Sequence, residues 1–558
     1  MDFSMCPRAK RTVPSDGEFR FERLKLFSVG GGERFVRFLN TTMPELPIEK
    51  ATREDANLIL SVASVYSSKN EFCYLRILGN RMEINCRDEA GARNAAAIIA
   101  QIVHRDGEGF VLPCGSIEDY PDAQYRGFML ETSGRAYIPM NEILEYIRLM
   151  AMTRMNELQF HFMEGAGTTI ELESFPNLAG GKNGGRKFTK KEIRDMIAYA
   201  DDLGITVTPF VEILSHSVDF TLKAGIGCPG DAPPNMMAVC VGQEKTYEAI
   251  EKFLTEVTEL FPAPVLHIGG DEYDMCRVSP QTAYWAHCPH CQRLAKENGF
   301  TSMRELFHYA IERENKIVNK LGKVSMVWNA DMKPGYLPEW LERNIAVHFF
   351  RTDHPFSKEL LTDMYPNGYA EEGYSVLNSY YPNTYLNDNG GGYANDARLN
   401  DWSYYRTPSV SRENLSRIVG GCFCAWEGES LVRSIPPCII LAADRLWNAD
   451  DSGVPYNDAY GRVVTRVMFD GKLPEDMNVF RMVGRILPPQ YAEKKVHTAI
   501  LEATLGEVIE IKEALQKLAA SGHRIAAIYA DMAEEAEQHV RSLPDELQPL
   551  KEKIHFVG

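Results

Sequence analysis

The feature that most constrains this chain is an alternation between two hydrophobic periods. From about residue 125 to about residue 450, short apolar runs recur, with amphipathic helical patterns between most of them. The strand-like runs are Gly127 to Thr132, Glu157 to Glu164, Ile205 to Ile213, Val265 to Asp271, Lys323 to Asn329, Ile345 to Phe350, Tyr374 to Tyr381 and Ile418 to Trp426. The helical patterns are Met140 to Thr153, Thr189 to Leu203, Glu244 to Leu260, Thr301 to Leu321, Arg412 to Ser416 and Ile435 to Trp447. Apolar strands of this kind are buried on both faces, as in a parallel sheet covered by helices. Eight such units predict an α/β chain built on a closed (β/α)8 TIM barrel over 121–450, in preference to an open doubly wound sheet.

The flanks read differently. Residues 1–120 predict a small α+β N-terminal domain. Its strands are Leu58 to Val62, Cys73 to Ile77 and Met82 to Asn85, its helix is Asp88 to Val103, and the stretch from Pro113 to Pro121 reads as the linker out of it. Residues 451–558 predict a helical C-terminal region. There Lys494 to Ala519 and Arg524 to Ser542 are charged, amphipathic and free of proline, a hairpin that serves as an exterior scaffold or a dimerisation element. A homodimer is therefore one expectation.

Charge narrows the partners. The net charge is −17, which leaves no electrostatic footprint for nucleic acid or an anionic membrane surface. No stretch approaches the roughly 18 apolar residues of a membrane-spanning helix. The first residues, Met1 to Arg8, lack the charged-then-apolar layout of a signal peptide, so the expected compartment is cytoplasmic. The 12 cysteines are too sparse for a disulfide scaffold. A neutral partner such as a glycan remains open.

In a barrel the chemistry sits at the C-terminal ends of the strands. Here those ends carry Glu131, His161, Glu164, Glu212 with His216 beyond it, Asp271-Glu272, Trp328-Asn329, Tyr380-Tyr381 with Tyr385 beyond, and Trp426-Glu427 with Glu429 close by. Carboxylates, histidines and aromatics together suit a sugar: flat rings stack on its faces, and carboxylates bind hydroxyls and move protons. The run His267-Ile268-Gly269-Gly270-Asp271-Glu272 is the most informative. Its glycines let the backbone pass close to another group. Its adjacent carboxylates point in different directions, so their environments can set one as an acid and the other as an anion.

That run resembles the catalytic motif of glycoside hydrolase family 20, the β-N-acetylhexosaminidases. Tyr125 to Ser133 is similar to the family's first barrel strand, Met150 to Asn156 to the approach to its second, and Ala442 to Trp447 to its closing Ala-Glu-Arg-Leu-Trp. The resemblance implies a retaining exo-glycosidase that removes terminal β-linked N-acetylhexosamine by substrate-assisted catalysis through an oxazolinium ion. Glu272 would be the general acid and base, and Asp271 would orient the acetamido group. Arg126 would bind the sugar's 3- and 4-hydroxyls, and Glu164 and His216 would brace the catalytic pair. Trp328 and Trp426 would wall the pocket, and Tyr385 or Tyr381 would donate to the acetamido oxygen. The family's glutamate after the eighth strand would be Glu427 or Glu429. The rim departs from the family: Glu164-Gly165-Ala166-Gly167 stands in place of Asp-Asp-Gln-Gly-Trp, and His348 or Phe349 in place of a tryptophan.

No cofactor is expected. Cys288-Pro289-His290-Cys291, with Cys276 and His287 nearby, resembles half a zinc site, but a structural zinc needs four ligands and no second CxxC exists. Two other classes compete. A non-catalytic amino-sugar-binding barrel would have no use for the acid. A metal-dependent amidase or deacetylase would use His161, His216 and Glu212, but no tight ligand spacing such as His-x-His supports it.

Overall fold

The computed structural model describes residues 3–107, 109–133, 137–165, 167–178, 186–229, 238–271, 283–330, 332–352, 364–386, 402–426, 432–450, 458–474, 476–479 and 505–542. The first part is a mixed sheet of eight strands: β1 (Arg11–Phe21), β2 (Leu24–Val29), β3 (Ile48–Lys50), β4 (Leu58–Val62), β5 (Cys73–Leu78), β6 (Arg81–Cys86), β7 (His104–Asp106) and β8 (Gly109–Asp119). Its order is β1-β8-β5-β6-β4-β2-β3, with β7 beside β8. The expected linker is in fact β8, antiparallel to β1, β5 and β7. Pro113 misled the reading. It lies opposite Glu18, where β1 shifts register, so its missing N–H falls at an irregularity of the ladder.

The helix Glu89–Ile102 starts where Asp88 accepts a hydrogen bond from Gly91 N–H at 2.7 Å. Nearly all its side chains are buried, because it lies between this sheet and the barrel helix Met140–Met152.

The barrel follows the expected alternation. Its strands are β9 (Tyr125–Glu131), β10 (Glu157–Glu164), β12 (Thr206–Val211), β13 (Val265–His267), β14 (Val324–Trp328), β15 (Ala346–Phe349), β16 (Ser375–Asn378) and β18 (Ile418–Ala425); β11 (Gly167–Thr168) and β17 (Tyr385–Leu386) are short additions. Each of the eight pairs in parallel with the next. β18 returns to β9, with Gly420 beside Tyr125 and Ala425 beside Leu130, and the sheet closes. This is a (β/α)8 barrel, and all the strands' C-terminal ends lie on one face. Reciprocal capping boxes at Thr189 with Glu192 and at Ser302 with Glu305 start two of the surrounding helices.

Two cores result. One lies between the strands and their helices. The other fills the barrel interior with Met129, Phe210, Met326, Trp328, Leu377 and their neighbours.

In the C-terminal region the helices Leu505–Ala520 and Arg524–Ser542 pack on each other. The second also seats on the barrel helix Met140–Met152, where Glu145 accepts from Ile525 N–H at 2.7 Å and pairs with His523 at 3.1 Å. Of the first helix's expected span, residues 494–504 lie outside the described part, as do all residues from 480 to 504. Among the described residues no helix is long and apolar enough to cross a membrane.

Candidate active site

Four carboxylates and a histidine converge at the C-terminal face. Glu131 ends β9 and accepts from Ser133 N–H at 2.7 Å and from Ser133 Oγ. Ser133 Oγ also lies 3.4 Å from Glu164, at the end of β10. Glu164 stands 3.6 Å from Nδ1 of His216, and Nε2 of the same ring stands 3.8 Å from Asp271. The imidazole thus spans two carboxylates, one on each ring nitrogen. Such an arrangement fixes a tautomer and steadies whichever carboxylate carries charge. His216 adopts a left-handed backbone (φ 44°), uncommon for a residue with a Cβ, which aims the ring back over the barrel mouth.

Glu212, at the end of β12, is the residue that sequence reasoning undervalued: it was counted among the strand ends but given a role only in the amidase alternative. It is fully buried, accepts from Gly270 N–H at 3.2 Å and is hydrogen-bonded to Asp271. Burial, followed by the charges of Asp271 and Glu164, pushes its carboxyl well above the usual carboxylate range. A neutral Glu212 can donate to the Asp271 carboxylate. The contact exists because Gly269 (φ 75°) has no side chain: a Cβ there would stand 1.8 Å from Glu212 Oε2. The signal was present in the sequence, as an acid at a strand's C-terminal end facing a double glycine.

Beside the carboxylates lies an aromatic box. Trp328 and Trp426 have ring centroids 6.3 Å apart, with Tyr385 at 6.5 and 5.7 Å from them. Tyr381 stands 6.2 Å from Tyr385, and Phe350 stacks on Tyr385 at 6.2 Å. His348, expected where the family carries a tryptophan, stacks on Trp328 at 4.0 Å instead of facing the mouth. Its two ring nitrogens meet His267 at 3.1 Å and Ser379 at 2.6 Å. Burial depresses the basicity of both His267 and His348, so neutral rings floor the box.

One expected residue belongs elsewhere. Arg126 starts β9 and therefore lies at the opposite, N-terminal end of the barrel. Its guanidinium is fully buried and forms a two-pronged ion pair with Glu71 of the N-terminal domain, at 3.0 and 2.7 Å. It also donates to the carbonyls of Arg154 and Ala123, both at 2.8 Å, and lies over the Trp447 ring at 5.2 Å. The structure does not bring it to the carboxylates. An arginine at the start of a barrel strand is at the wrong end for chemistry. The next arginine, Arg135, follows the strand's other end and lies outside the described residues, as do Glu272, Cys276, Glu427 and Glu429. Cys288 and Cys291 are buried outside this cluster, next to Cys228 and Cys240.

Comparisons with known proteins bear on the fold and the family. The model of "Glycosyl hydrolase family 20, catalytic domain" matches residues 124–449. A β-hexosaminidase of Porphyromonas gingivalis is 29% identical over 244 residues, covering 41% of this chain and 30% of the relative. The β-hexosaminidase subunit alpha of Mus musculus is 26% identical over 421 residues, covering 70% of this chain and 75% of that protein. This chain thus spans about a third of the bacterial relative's length and three quarters of the mouse one's. Among solved structures, the β-N-acetylhexosaminidase of Bacteroides fragilis superposes with a TM-score of 0.70 at 22% identity, covering 83% of this chain and 94% of that one. The chitobiase of Flavobacterium johnsoniae has a TM-score of 0.66 at 19% identity, covering 98% and 90%. With a closed barrel whose mouth gathers Glu164, His216, Glu212 and Asp271, and a family match over more than half its length, the chain belongs to glycosyl hydrolase family 20.

Proposed function

We propose that the protein is a retaining exo-β-N-acetylhexosaminidase that removes terminal β-linked GlcNAc or GalNAc with the help of the substrate's own acetamido group. The acetamido oxygen attacks the anomeric carbon while the glycosidic C–O bond breaks. The Glu272 carboxylic acid gives its proton to the leaving oxygen. A cyclic oxazolinium ion results, and Asp271, as the adjacent anion, holds the acetamido N–H and offsets the positive charge. Glu272, now a carboxylate, takes a proton from water as that water attacks the anomeric carbon. The ring opens and the sugar leaves with its original configuration.

The observation that supports this reading best is the setting of Asp271. His216 on one side and Glu212, whose carboxyl is raised well above the usual range, on the other hold its side chain in place. A sugar-binding barrel without chemistry has no need of so constrained an anion. The aromatic box of Trp328, Trp426 and Tyr385 is the right shape to enclose an acetamido methyl, with Tyr385, or Tyr381 at its edge, donating to the carbonyl oxygen.

The test is hydrolysis of chromogenic β-GlcNAc and β-GalNAc glycosides by the wild type, Glu272→Gln and Asp271→Asn, with and without chelator. Turnover by the wild type, lost in both variants and indifferent to brief chelation, is the expected result. Full activity in either variant would remove its residue from the mechanism. Rapid loss to chelator would point to the amidase class, and binding without turnover to the lectin class. A thiazoline analogue of the oxazolinium ion should bind far more tightly than substrate.

A further inference from the structure

The chain carries 12 cysteines, and four that are far apart in sequence meet at one point. Cys228 and Cys240 come from the loop between β12 and the helix Glu244–Leu260. Cys288 and Cys291 come from the start of the helix Pro289–Glu297, which follows β13. The sulfur of Cys228 lies 3.9 Å from that of Cys291, and the sulfur of Cys240 lies 3.6 Å from Cys288 and 4.0 Å from Cys291. All four sulfurs fall within 4.8 Å of one another, and all four residues are buried.

These separations exclude disulfides, whose sulfurs stand about 2.05 Å apart. They match the edges of a tetrahedron: with metal–sulfur bonds of about 2.3 Å, ligand sulfurs lie about 3.8 Å apart. Buried thiols often pack as small apolar groups, but here the surroundings are built to hold them. Cys228 N–H donates to Ala238 O at 2.9 Å and Cys240 N–H to Ile226 O at 2.7 Å, so the first pair sits on two antiparallel segments facing the same way. Cys288 precedes the first turn of its helix and Cys291 lies in that turn, so the second pair converges too. Gln243 Nε2 donates to the Cys240 sulfur at 3.0 Å, a contact that favours a thiolate. Trp285 Nε1 donates to Val239 O at 2.7 Å and ties the two segments together. At Gly242 their backbones touch, since a Cβ there would lie 2.3 Å from the carbonyl carbon of His290.

A second group, His348 with Cys422 and Cys424, offers a contrast. It has three members, and both nitrogens of its histidine are engaged by His267 and Ser379. Among the described residues it lacks a fourth ligand.

We infer that Cys228, Cys240, Cys288 and Cys291 form a tetrathiolate site for one zinc ion, and that the ion ties together the loops after β12 and β13. The first pair follows Glu212 and His216 in the chain, and the second follows Asp271. A closed four-thiolate site leaves no open position for substrate, so the ion positions loops and takes no part in bond making. The absence of a second CxxC, which weighed against zinc in the sequence, is answered by Cys228 and Cys240, which two antiparallel segments bring together.

The site can be tested independently of the hydrolysis. Protein purified without chelator and without a metal-affinity column is analysed by plasma mass spectrometry. About one zinc per chain is expected, a closed site being filled in the folded protein. Cys228→Ser and Cys291→Ser should each drop the zinc content severalfold, while Cys114→Ser, in β8, should leave it unchanged. Refolding with Co²⁺ in place of zinc should produce the ligand-field bands of a tetrahedral tetrathiolate ion. Zinc-free wild type that gives no such bands with Co²⁺ overturns the proposal, whatever the variants do. So does iron as the bound metal, or disulfides among these four residues found by peptide mapping. For the positioning role, Cys228→Ser should lower kcat more than it raises KM. Unchanged kinetics in zinc-free, folded protein would refute that role while leaving ion binding to be judged by the metal analysis.

Discussion

Replacing Arg126 separates a structural arginine from a sugar-binding one. In Arg126→Met the aliphatic stem is kept and the guanidinium is lost. What disappears is an ion pair between a fully buried guanidinium and the largely buried Glu71, made through contacts of 3.0 and 2.7 Å, two backbone hydrogen bonds of 2.8 Å, and the face contact with Trp447. Burial alone would raise the Glu71 carboxyl, but Arg126 and then Arg93 hold it below its usual value, so it stays ionised. Without Arg126 a buried negative charge remains at the seam between the N-terminal sheet and the barrel. Breaking such a pair from one side costs about 3–5 kcal/mol. Urea denaturation followed by tryptophan fluorescence should therefore show a large loss of stability, and part of it should return in the double variant Glu71→Gln/Arg126→Met, which removes the stranded charge. Below the unfolding transition, kcat/KM on a chromogenic β-GlcNAc glycoside should stay within about twofold of wild type, since no transition-state contact has been removed. Wild-type stability combined with a KM raised about tenfold or more would refute this assignment and put Arg126 against the sugar.

Two further expectations concern buried acids. Glu212→Gln mimics the neutral acid and can still meet Asp271 and Gly270 N–H, so it should keep most activity, whereas Glu212→Ala should lose about a hundredfold or more in kcat/KM; equal losses in the two variants would mean that Glu212 works as an anion. Glu157, at the start of β10, is pushed up to about 8 by burial, with Thr208 and Arg126 opposing only part of the effect. Its folded value exceeds its unfolded one, so its stabilising contribution is complete below the usual carboxylate range and is lost as pH rises toward about 8. Urea midpoints should fall between pH 5 and pH 9 by less in Glu157→Gln than in wild type, and parallel profiles would show that Glu157 is already ionised at pH 5.

Much of the barrel was legible because its signals are local. An apolar run such as Phe128-Met129-Leu130 or Val324 to Trp328 declares a buried strand by composition alone, and Thr189-x-x-Glu192 declares a helix start. Glu164, His216, Asp271, Trp328, Tyr381, Tyr385 and Trp426 could be placed at one face because strand ends can be counted off, and in a barrel they share that face. Strand β8 was missed because Pro113 is a local signal for a break, whereas its tolerance depends on a register shift in β1, nearly a hundred residues earlier.

Element types, their alternation and the acidic motif after β13 can be read from the chain, since these depend on neighbours within a few residues. Which distant partner a residue meets was settled by tertiary packing. It sent Arg126 to Glu71 and away from the carboxylates. It set Glu212 against Asp271 across a glycine with no Cβ, and it drew Cys228 and Cys240 onto Cys288 and Cys291. Each of these is a meeting of segments that share no local pattern. Closure of the sheet brings them within bonding distance, and no period along the chain encodes that.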